Sequence, residues 1–190
     1  MRVSDAIAIS HSGVSADGRV ICAAAQRLAV EHAFTFEEDM PIEAFLEELS
    51  LLFQRYTMKP GSRPFGCSLL VTHMAPIDED SADCCTEGVD LPASAAVYLI
   101  DPSGAVELMG DVGCIGTAGG NDVRRRISDA LIKRRAADSE SADEAQRIIV
   151  DVLREELEMP SPMKYETEPR KSFLTASFMR NGGLVVRKIS

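Results

Sequence analysis

A run of glycines lies where a phosphate-binding loop would occur. Gly113, Gly116, Gly119 and Gly120 fall between a predicted strand and a predicted helix, and helix N-termini bind anions. The spacing does not fit a dinucleotide-binding loop, because Ile115 stands where a second glycine is required. No Lys-Ser or Lys-Thr pair follows, as a Walker loop requires. The run is therefore interpreted as a tight strand-to-helix turn, and no cofactor or cofactor-binding residue is predicted.

Histidine and cysteine are the residues most able to hold a metal or to act as nucleophiles. His11, His32 and His73 are far apart and follow no metal-binding spacing. Cys84-Cys85 is the only adjacent cysteine pair and has no partner pair. No Gly-x-Ser-x-Gly sequence marks a serine nucleophile. The sequence predicts no metal site and no catalytic residue of these kinds.

Charged clusters are the remaining candidates for chemistry. Six basic residues share one predicted helix: Arg124, Arg125, Arg126, Lys133, Arg134 and Arg135. They are interpreted as a solvated face, with contact to an acidic partner surface as the alternative. Paired acids such as Glu37-Glu38-Asp39 and Glu155-Glu156 are interpreted as surface and helix-end residues, since their context gives no sign of buried acid–base work.

Composition restricts the class of protein. The 190 residues suit one domain, and 45% hydrophobic content can form a substantial core. A net charge of −10 argues against non-specific nucleic-acid binding. The five cysteines form no disulfide pattern, and the sequence has neither a secretory signal nor a membrane-spanning apolar run. A soluble protein of a reducing intracellular compartment is predicted, with no membrane or nucleic-acid partner.

The elements that must position these residues follow from hydrophobic spacing and turn residues. Strands are predicted at Asp5–Ser12, Phe65–Thr72, Ala95–Ile100 and Ala105–Met109, with a terminal hairpin of Phe173–Met179 and Leu184–Ile189 around Asn181-Gly182. Helices are predicted at Arg19–Phe36, from Pro41 to Tyr56, around Val123–Leu131, and after a capping box of Ser141 and Glu144.

Three finer expectations accompany these elements. The apolar run after Phe65 favours a strand covered on both faces. Residues 75–93 are interpreted as an acidic surface insert. Asp101-Pro102-Ser103-Gly104 has the residue preferences of a type I turn. Because helices arrive in pairs between groups of strands, the order favours an α+β fold with two helical layers over two stacked sheets.

Several motifs in order resemble the alpha-type subunits of the proteasome core particle. They are Gly13-Val14-Ser15-Ala16-Asp17-Gly18-Arg19, then Tyr56-Thr57 with Arg63-Pro64-Phe65-Gly66, then Tyr98 with Asp101-Pro102-Ser103-Gly104, and Ile115-Gly116. The resemblance covers roughly Ile7 to Leu131 by motif and the remainder by the order of elements.

The resemblance implies a single domain over residues 1–190 with the four-layer αββα sandwich of N-terminal-nucleophile hydrolases. It also implies a non-catalytic subunit of the outer ring, in contact with alpha-type and beta-type subunits in the cytoplasm and nucleus. The helix Arg19–Phe36 would lie near the contact between rings, and its apolar stripe (Ile21, Ala25, Leu28) would serve both folding and assembly.

The sequence also departs from the family pattern. The N-terminal gate segment, the helix after it, the first strands and the C-terminal helix have no counterpart, so a partial domain with unpaired sheet edges is expected. Residues 75–93 form a longer insert than is usual, and Met58 replaces a glutamine.

An active N-terminal-nucleophile hydrolase, such as a beta-type subunit, is the alternative. That chemistry needs a Thr, Ser or Cys freed at the mature N-terminus. Met1-Arg2 precedes Val3, and the first threonine, Thr35, follows the helix that the nucleophile should precede. The sequence therefore favours the non-catalytic subunit, with no catalytic residue.

Overall fold

The computed structural model describes residues 1–74, 95–110, 112–116, 120–135, 142–158, 174–180 and 183–189. The strands are β1 (Ile7–Gly13), β2 (Cys67–Met74), β3 (Ala95–Ile100), β4 (Val106–Gly110), β5 (Leu174–Arg180) and β6 (Gly183–Ile189). The helices are α1 (Ser15–Phe36), α2 (Ile42–Met58), α3 (Gly120–Arg135) and α4 (Ala142–Glu158). The predicted mixture of helices with antiparallel strands is confirmed. The predicted insert at residues 75–93 lies outside the described residues.

The first compact unit, Met1–Gly116, is a four-stranded antiparallel sheet with two helices on one face. The strand order is β1-β2-β3-β4, and Val71 at the centre pairs with Ile9 on one side and Tyr98 on the other. The core lies between this sheet and the helices. Its largest fully buried side chains are those of Phe45, Phe53, Ile7, Ile9, Ile21, Leu49, Leu69, Ile100 and Val71.

Strand β2 differs from its prediction in how its two faces are covered. Cys67, Leu69 and Val71 are buried against the helices, whereas Leu70 and Thr72 on the opposite face are half-buried. The apolar sequence predicted cover on both faces because leucine and valine occupy consecutive positions. Successive side chains of a strand nonetheless point to opposite faces of the sheet, so burial alternates along a strand that has helices on one side only.

Helix α2 follows directly from its sequence. Phe45, Leu49 and Phe53 recur at four-residue steps and are fully buried against the sheet, while Glu43 and Glu47 face solvent. Pro41 precedes the first helical residue, where its missing N–H costs no helical hydrogen bond. The predicted helix is confirmed.

Helix α1 begins four residues earlier than predicted, at Ser15 instead of Arg19. Asp17 lies in the first helical turn, where its negative charge suits the helix dipole. Gly18 faces the ring of His11 so closely that a Cβ would lie 2.1 Å from His11 Cδ2. The glycine is therefore used for close packing inside the helix.

Glu37 ends α1 in a left-handed conformation, with φ of 58°, and its N–H donates to the Ala33 carbonyl oxygen. This conformation is unfavourable for a residue with a Cβ and is the usual place for glycine. Replacing Glu37 with glycine is expected to raise the free energy of unfolding by about 1 kcal/mol. Chemical denaturation measures the change. Glu38→Gly is the matched control, because Glu38 does not have a positive φ, and a gain from it equal to that of Glu37→Gly would contradict the explanation.

The outer edge of β1 is partly paired. Residues 1–3 run back along β1: Arg2 bridges Ala8, the Ile9 N–H donates to the Met1 carbonyl at 2.8 Å, and the Val3 N–H donates to the Ile7 carbonyl. The expectation of an unpaired edge is therefore wrong for this part of β1. The sequence did not reveal the pairing, because three residues are too few to show a strand pattern.

The second unit, Thr117–Ser190, contains α3, α4 and the β5–β6 hairpin. Val123 and Ile127 of α3 and Leu153 of α4 are buried. The hairpin register runs from Leu174 opposite Ile189 to Arg180 opposite Gly183, which confirms the predicted terminal hairpin. The predicted capping box of Ser141 and Glu144 lies outside the described side chains. In the described part of the chain, no helix combines the length and apolar character needed to cross a membrane.

Candidate functional site: two anchored motifs and the outer face of helix α1

Asp17 joins the start of α1 to the segment before β2. Its carboxylate accepts two hydrogen bonds from Arg63, from Nη1 at 2.7 Å and from Nη2 at 2.8 Å. It accepts a third from the Gly66 N–H at 2.8 Å. Two-point pairing of a guanidinium with a carboxylate is among the strongest polar contacts in proteins. These three bonds tie together two chain segments that are 46 to 49 residues apart.

The same contacts keep Asp17 charged. Hydrogen bonds from Arg63 and then from the Gly66 amide lower the pKa of the Asp17 carboxyl from 3.8 to about 2, against a smaller opposing effect of burial. The ion pair also raises the pKa of Arg63. A carboxylate with so low a pKa is a poor general base near neutral pH. Asp17 therefore stabilises the structure and is not suited to proton transfer.

Phe65 lies between Arg63 and Gly66 in the sequence and connects the same segment to α2. Its ring makes an edge contact with Phe53 at 5.4 Å between centroids and a tilted contact with Tyr56 at 4.5 Å. The Arg63-Pro64-Phe65-Gly66 motif thus contacts α1 through charge and α2 through aromatic packing. Its function in this fold is to set the positions of two helices relative to β2.

The Asp101-Pro102-Ser103-Gly104 motif closes the turn between β3 and β4. The Gly104 N–H donates to the Asp101 carbonyl at 3.0 Å, and the Asp101 side chain accepts from the Ser103 and Ala105 N–H groups. Hydrogen bonds led by that from the Ser103 hydroxyl lower the pKa of Asp101. The predicted turn is confirmed.

This turn also rests on α2. The Ser50 hydroxyl donates to the Gly104 carbonyl oxygen at 2.6 Å. Gly104 is buried with φ of +91°, and a Cβ there would lie 2.7 Å from the Ser50 carbonyl oxygen. Only glycine satisfies both the backbone conformation and the close approach. Both motifs therefore hold α2, one near its C-terminal end and one at its middle.

The glycine run crosses the sheet face opposite the helices. A Cβ at Gly113 would lie 2.7 Å from side-chain atoms of Leu70 and Val97, and one at Gly116 would lie 2.0 Å from Ser12 Oγ. Gly113 and Gly116 are therefore needed where the backbone meets the sheet, which is a structural role for these two positions. Residues 117–119 of this run lie outside the described residues.

The histidines occupy separate environments. His11 Nδ1 lies 3.7 Å from Cys22 Sγ, His32 Nδ1 lies 3.3 Å from the Glu38 carbonyl oxygen, and His73 is half-buried, which lowers its pKa. Burial raises the pKa of the Cys22 thiol, so this thiol is not activated as a nucleophile. Within the described residues, no group of three or more His, Cys, Asp or Glu side chains could hold a metal ion.

Two other sequence candidates have local partners. Thr35 lies in the last turn of α1, where its hydroxyl donates to the Glu31 carbonyl at 2.7 Å. In the basic helix α3, Arg126 pairs with Glu155 of α4, and Arg125 lies 3.6 Å from Asp122. Whether the six basic residues form a solvated face or contact an acidic partner stays a prediction.

Helix α1 has a second apolar face, which the sequence interpretation missed. The stripe of Ile21, Ala25 and Leu28, which was expected to serve both folding and assembly, packs into the core of its own unit, so its part in folding is confirmed. On the solvent side, exposed residues follow one another at alternating steps of four and three: Ala16, Val20, Ala23, Arg27, Val30 and Phe34. We call these six residues the outer face of α1. Their spacing is that of a helix-packing seam and was visible in the sequence.

Comparison with known proteins gives the family of this chain. Residues 1–167 match the sequence profile of the family described as Proteasome subunit. The chain belongs to the proteasome subunit family. Its resemblance to alpha-type subunits is confirmed by individual relatives, described next.

The relatives of this proteasome family member are named as alpha subunits. The chain is 42% identical over 102 residues to Proteasome subunit alpha type-2 of Trypanosoma brucei brucei, covering 54% of this chain and 37% of that protein. It is 29% identical over 165 residues to Proteasome subunit alpha of Pyrococcus horikoshii, covering 87% and 54%. Against Proteasome subunit alpha type-4-A of Arabidopsis thaliana it is 24% identical over 176 residues, covering 93% and 62%. The chain thus spans roughly a third to three fifths of the length of these proteasome subunits.

Proposed function

We propose that this chain is a non-catalytic structural subunit of the outer ring of a proteasome core particle and supports proteasomal protein degradation through assembly. The observation that carries the proposal is the match of residues 1–167 to the family together with relatives named as alpha subunits. The proposal includes a single domain with the four-layer αββα sandwich of N-terminal-nucleophile hydrolases. It also includes location in the cytoplasm and nucleus.

The anchored motifs favour a structural role over an enzymatic one. The Asp17 carboxylate is bonded to Arg63 and Gly66, and Thr35 is bonded within its own helix. Neither residue is paired with a base that would activate a nucleophile, a requirement of covalent catalysis. The contacts instead produce a rigid support for α1 and α2.

The proposed partners are neighbouring alpha-type and beta-type subunits, and α1 is the proposed contact. Its outer face has apolar residues at helix-packing spacing, so a helix of another subunit can pack along it at the shallow crossing angle of such seams. Burying Val20 and Val30 there removes apolar surface from water, which favours association. Helix α1 then packs into the core through one face and contacts another subunit through its outer face.

Co-expression tests the proposal. The chain is produced with the alpha-type and beta-type subunits of its own organism, and the products are separated by size under native conditions. We expect the chain to migrate in a complex that contains both subunit types, and the chain purified alone to hydrolyse no peptide substrate. A chain that stays outside every complex would contradict the subunit role. Peptide hydrolysis by the chain alone would support the alternative, an active N-terminal-nucleophile hydrolase.

A matched pair of variants tests the role of α1 in the same experiment. Val30→Asp places a charge on the outer face, where Val30 is 64% exposed, and is expected to reduce incorporation by about tenfold or more. Ile132→Asp makes the same change at a helical residue that is 62% exposed on α3 and is expected to have little effect. Equal losses from the two variants would contradict the assignment to α1.

A further inference from the structure

A thiol and an imidazole lie side by side between β1 and α1. Cys22 Sγ of α1 lies 3.7 Å from Nδ1 of His11 on β1. Cys22 is 6% exposed, whereas His11 is exposed, so the pair spans the boundary between the core and solvent. In the described part of the chain, the His11 ring makes no other hydrogen bond and no ion pair, so the thiol is the partner of Nδ1.

Gly18 determines how closely the ring approaches the helix. Gly18 and Cys22 are four residues apart in α1 and lie on the same face of the helix. A Cβ at position 18 would lie 2.1 Å from His11 Cδ2 and 2.5 Å from His11 Nε2, so any residue with a side chain would push the ring away. Glycine at this position therefore lets the imidazole lie against α1 beside the thiol.

The distance between the two atoms suits a shared metal ion. Zinc bonds in proteins are about 2.0–2.1 Å long to imidazole nitrogen and about 2.3 Å long to thiolate sulfur, and copper bonds are similar. With such bonds, atoms 3.7 Å apart enclose an angle of about 115–120° at the metal, which suits a planar three-coordinate ion. Thiolates select soft ions such as Cu(I), and imidazole also binds copper. Because Cu(I) accepts two or three ligands, it does not require the larger ligand group that the described residues lack.

We propose that Cys22 and His11 form a Cu(I) site that links α1 to β1. The thiolate sulfur of Cys22 and Nδ1 of His11 bind the metal, the proton of the thiol passes to solvent, and a water or another small donor takes the third position. A metal held by both elements stabilises the folded chain, because the unfolded chain does not hold the two ligands together. The inference does not depend on the proposed subunit function, and it departs from the prediction of no metal site that was made from the sequence.

Competitive Cu(I) titration of the purified chain tests this inference. The metal is supplied without oxygen, in competition with a coloured Cu(I) chelator. Every protein in the experiment carries Cys84→Ser and Cys85→Ser, because an adjacent cysteine pair can bind Cu(I) by itself. We expect one tightly bound Cu(I) per chain, sulfur and nitrogen neighbours in X-ray absorption at the copper edge, and a rise of the thermal midpoint by about 5 °C at saturating metal.

Matched variants assign the two ligands. Cys22→Ser replaces a soft sulfur by a hard oxygen, and His11→Phe keeps a ring but removes both nitrogens. Each is expected to weaken Cu(I) binding at least about tenfold. Cys114→Ser and His32→Phe make the same changes elsewhere in the chain and are expected to leave the affinity unchanged. Circular dichroism checks the fold of each variant, and His11→Phe, at an exposed position, provides the test if Cys22→Ser does not fold.

Several results would overturn the inference. Absence of tight Cu(I) binding, or unchanged binding by folded Cys22→Ser or His11→Phe, would remove the site. An equal loss from Cys114→Ser or His32→Phe would show that the metal binds without specific ligands. Tight binding without a rise of the thermal midpoint would refute the link between α1 and β1. None of these results bears on assembly with other proteasome subunits, which co-expression measures separately.

Discussion

Replacement of Phe53 by alanine is expected to lower the free energy of unfolding by about 3–5 kcal/mol. Phe53 is fully buried, its ring contacts Phe65, and its Cβ lies 3.2 Å from where a Cβ on Gly104 would be. The side chain therefore supports both anchored motifs at once. Its loss leaves a cavity between α2, the segment before β2 and the β3–β4 turn. Urea denaturation followed by circular dichroism measures the change.

Two control variants separate packing from mere loss of an aromatic ring. Phe34→Ala removes the same atoms from a position that is 88% exposed and is expected to change stability by less than about 0.5 kcal/mol. Phe53→Leu retains most of the buried volume and is expected to cost less than Phe53→Ala. Equal destabilisation by Phe34→Ala and Phe53→Ala would contradict the placement of Phe53 at the centre of the core.

Replacement of Asp17 by asparagine is expected to lower the thermal midpoint at neutral pH, by an amount that disappears in acid. Asparagine cannot form the two-point ion pair with Arg63. The folded-state pKa of Asp17 is about 2, below its ordinary value of 3.8. The stabilisation by the carboxylate is therefore complete above about pH 4 and is lost as pH falls through 2. The difference in thermal midpoint between wild type and Asp17→Asn should be constant near neutral pH and should fall to nearly zero by about pH 2.

The control for this pH dependence is Asp5→Asn. Asp5 pairs with Arg2, but both side chains are largely exposed, so this ion pair contributes little to stability. Its midpoint difference from wild type should be small at every pH. A difference for Asp17→Asn that persists below pH 2 would show that the loss arises from packing and not from charge.

Local pattern predicted most of the fold. The apolar steps of Phe45, Leu49 and Phe53 predicted α2, and the predicted strand Ala95–Ile100 has the bounds of β3. These succeed because side-chain spacing reflects which face of an element is buried. The start of α1 was placed four residues too late, and the bond of Asp17 in its first turn with Arg63, 46 residues away, was not visible in the sequence.

In the candidate functional site, too, the motifs were predicted from the sequence and their contacts were not. Arg63-Pro64-Phe65-Gly66 and Asp101-Pro102-Ser103-Gly104 were recognised as family motifs and as turns, but their contacts with Asp17, Phe53 and Ser50 were not predicted. The residues of a motif do not indicate which distant residues will contact it. The seam of Val20 and Val30 was present in the sequence, yet the buried stripe on the opposite face of α1 was the stronger signal.

The sequence by itself determined the family, the succession of helices and strands, and the lack of a recognisable nucleotide, zinc or serine-elbow motif, because these depend on residue types and short spacings. The tertiary structure alone decided which face of α1 is exposed, that the pKa of the Asp17 carboxyl is lowered, and that Gly104 must be glycine. Each of these depends on contacts between residues distant in sequence. The hydrogen bonds that Arg63 and Gly66 donate to Asp17 lower the pKa of its carboxyl, and the packing of α1 on the sheet determines which surface remains for a partner.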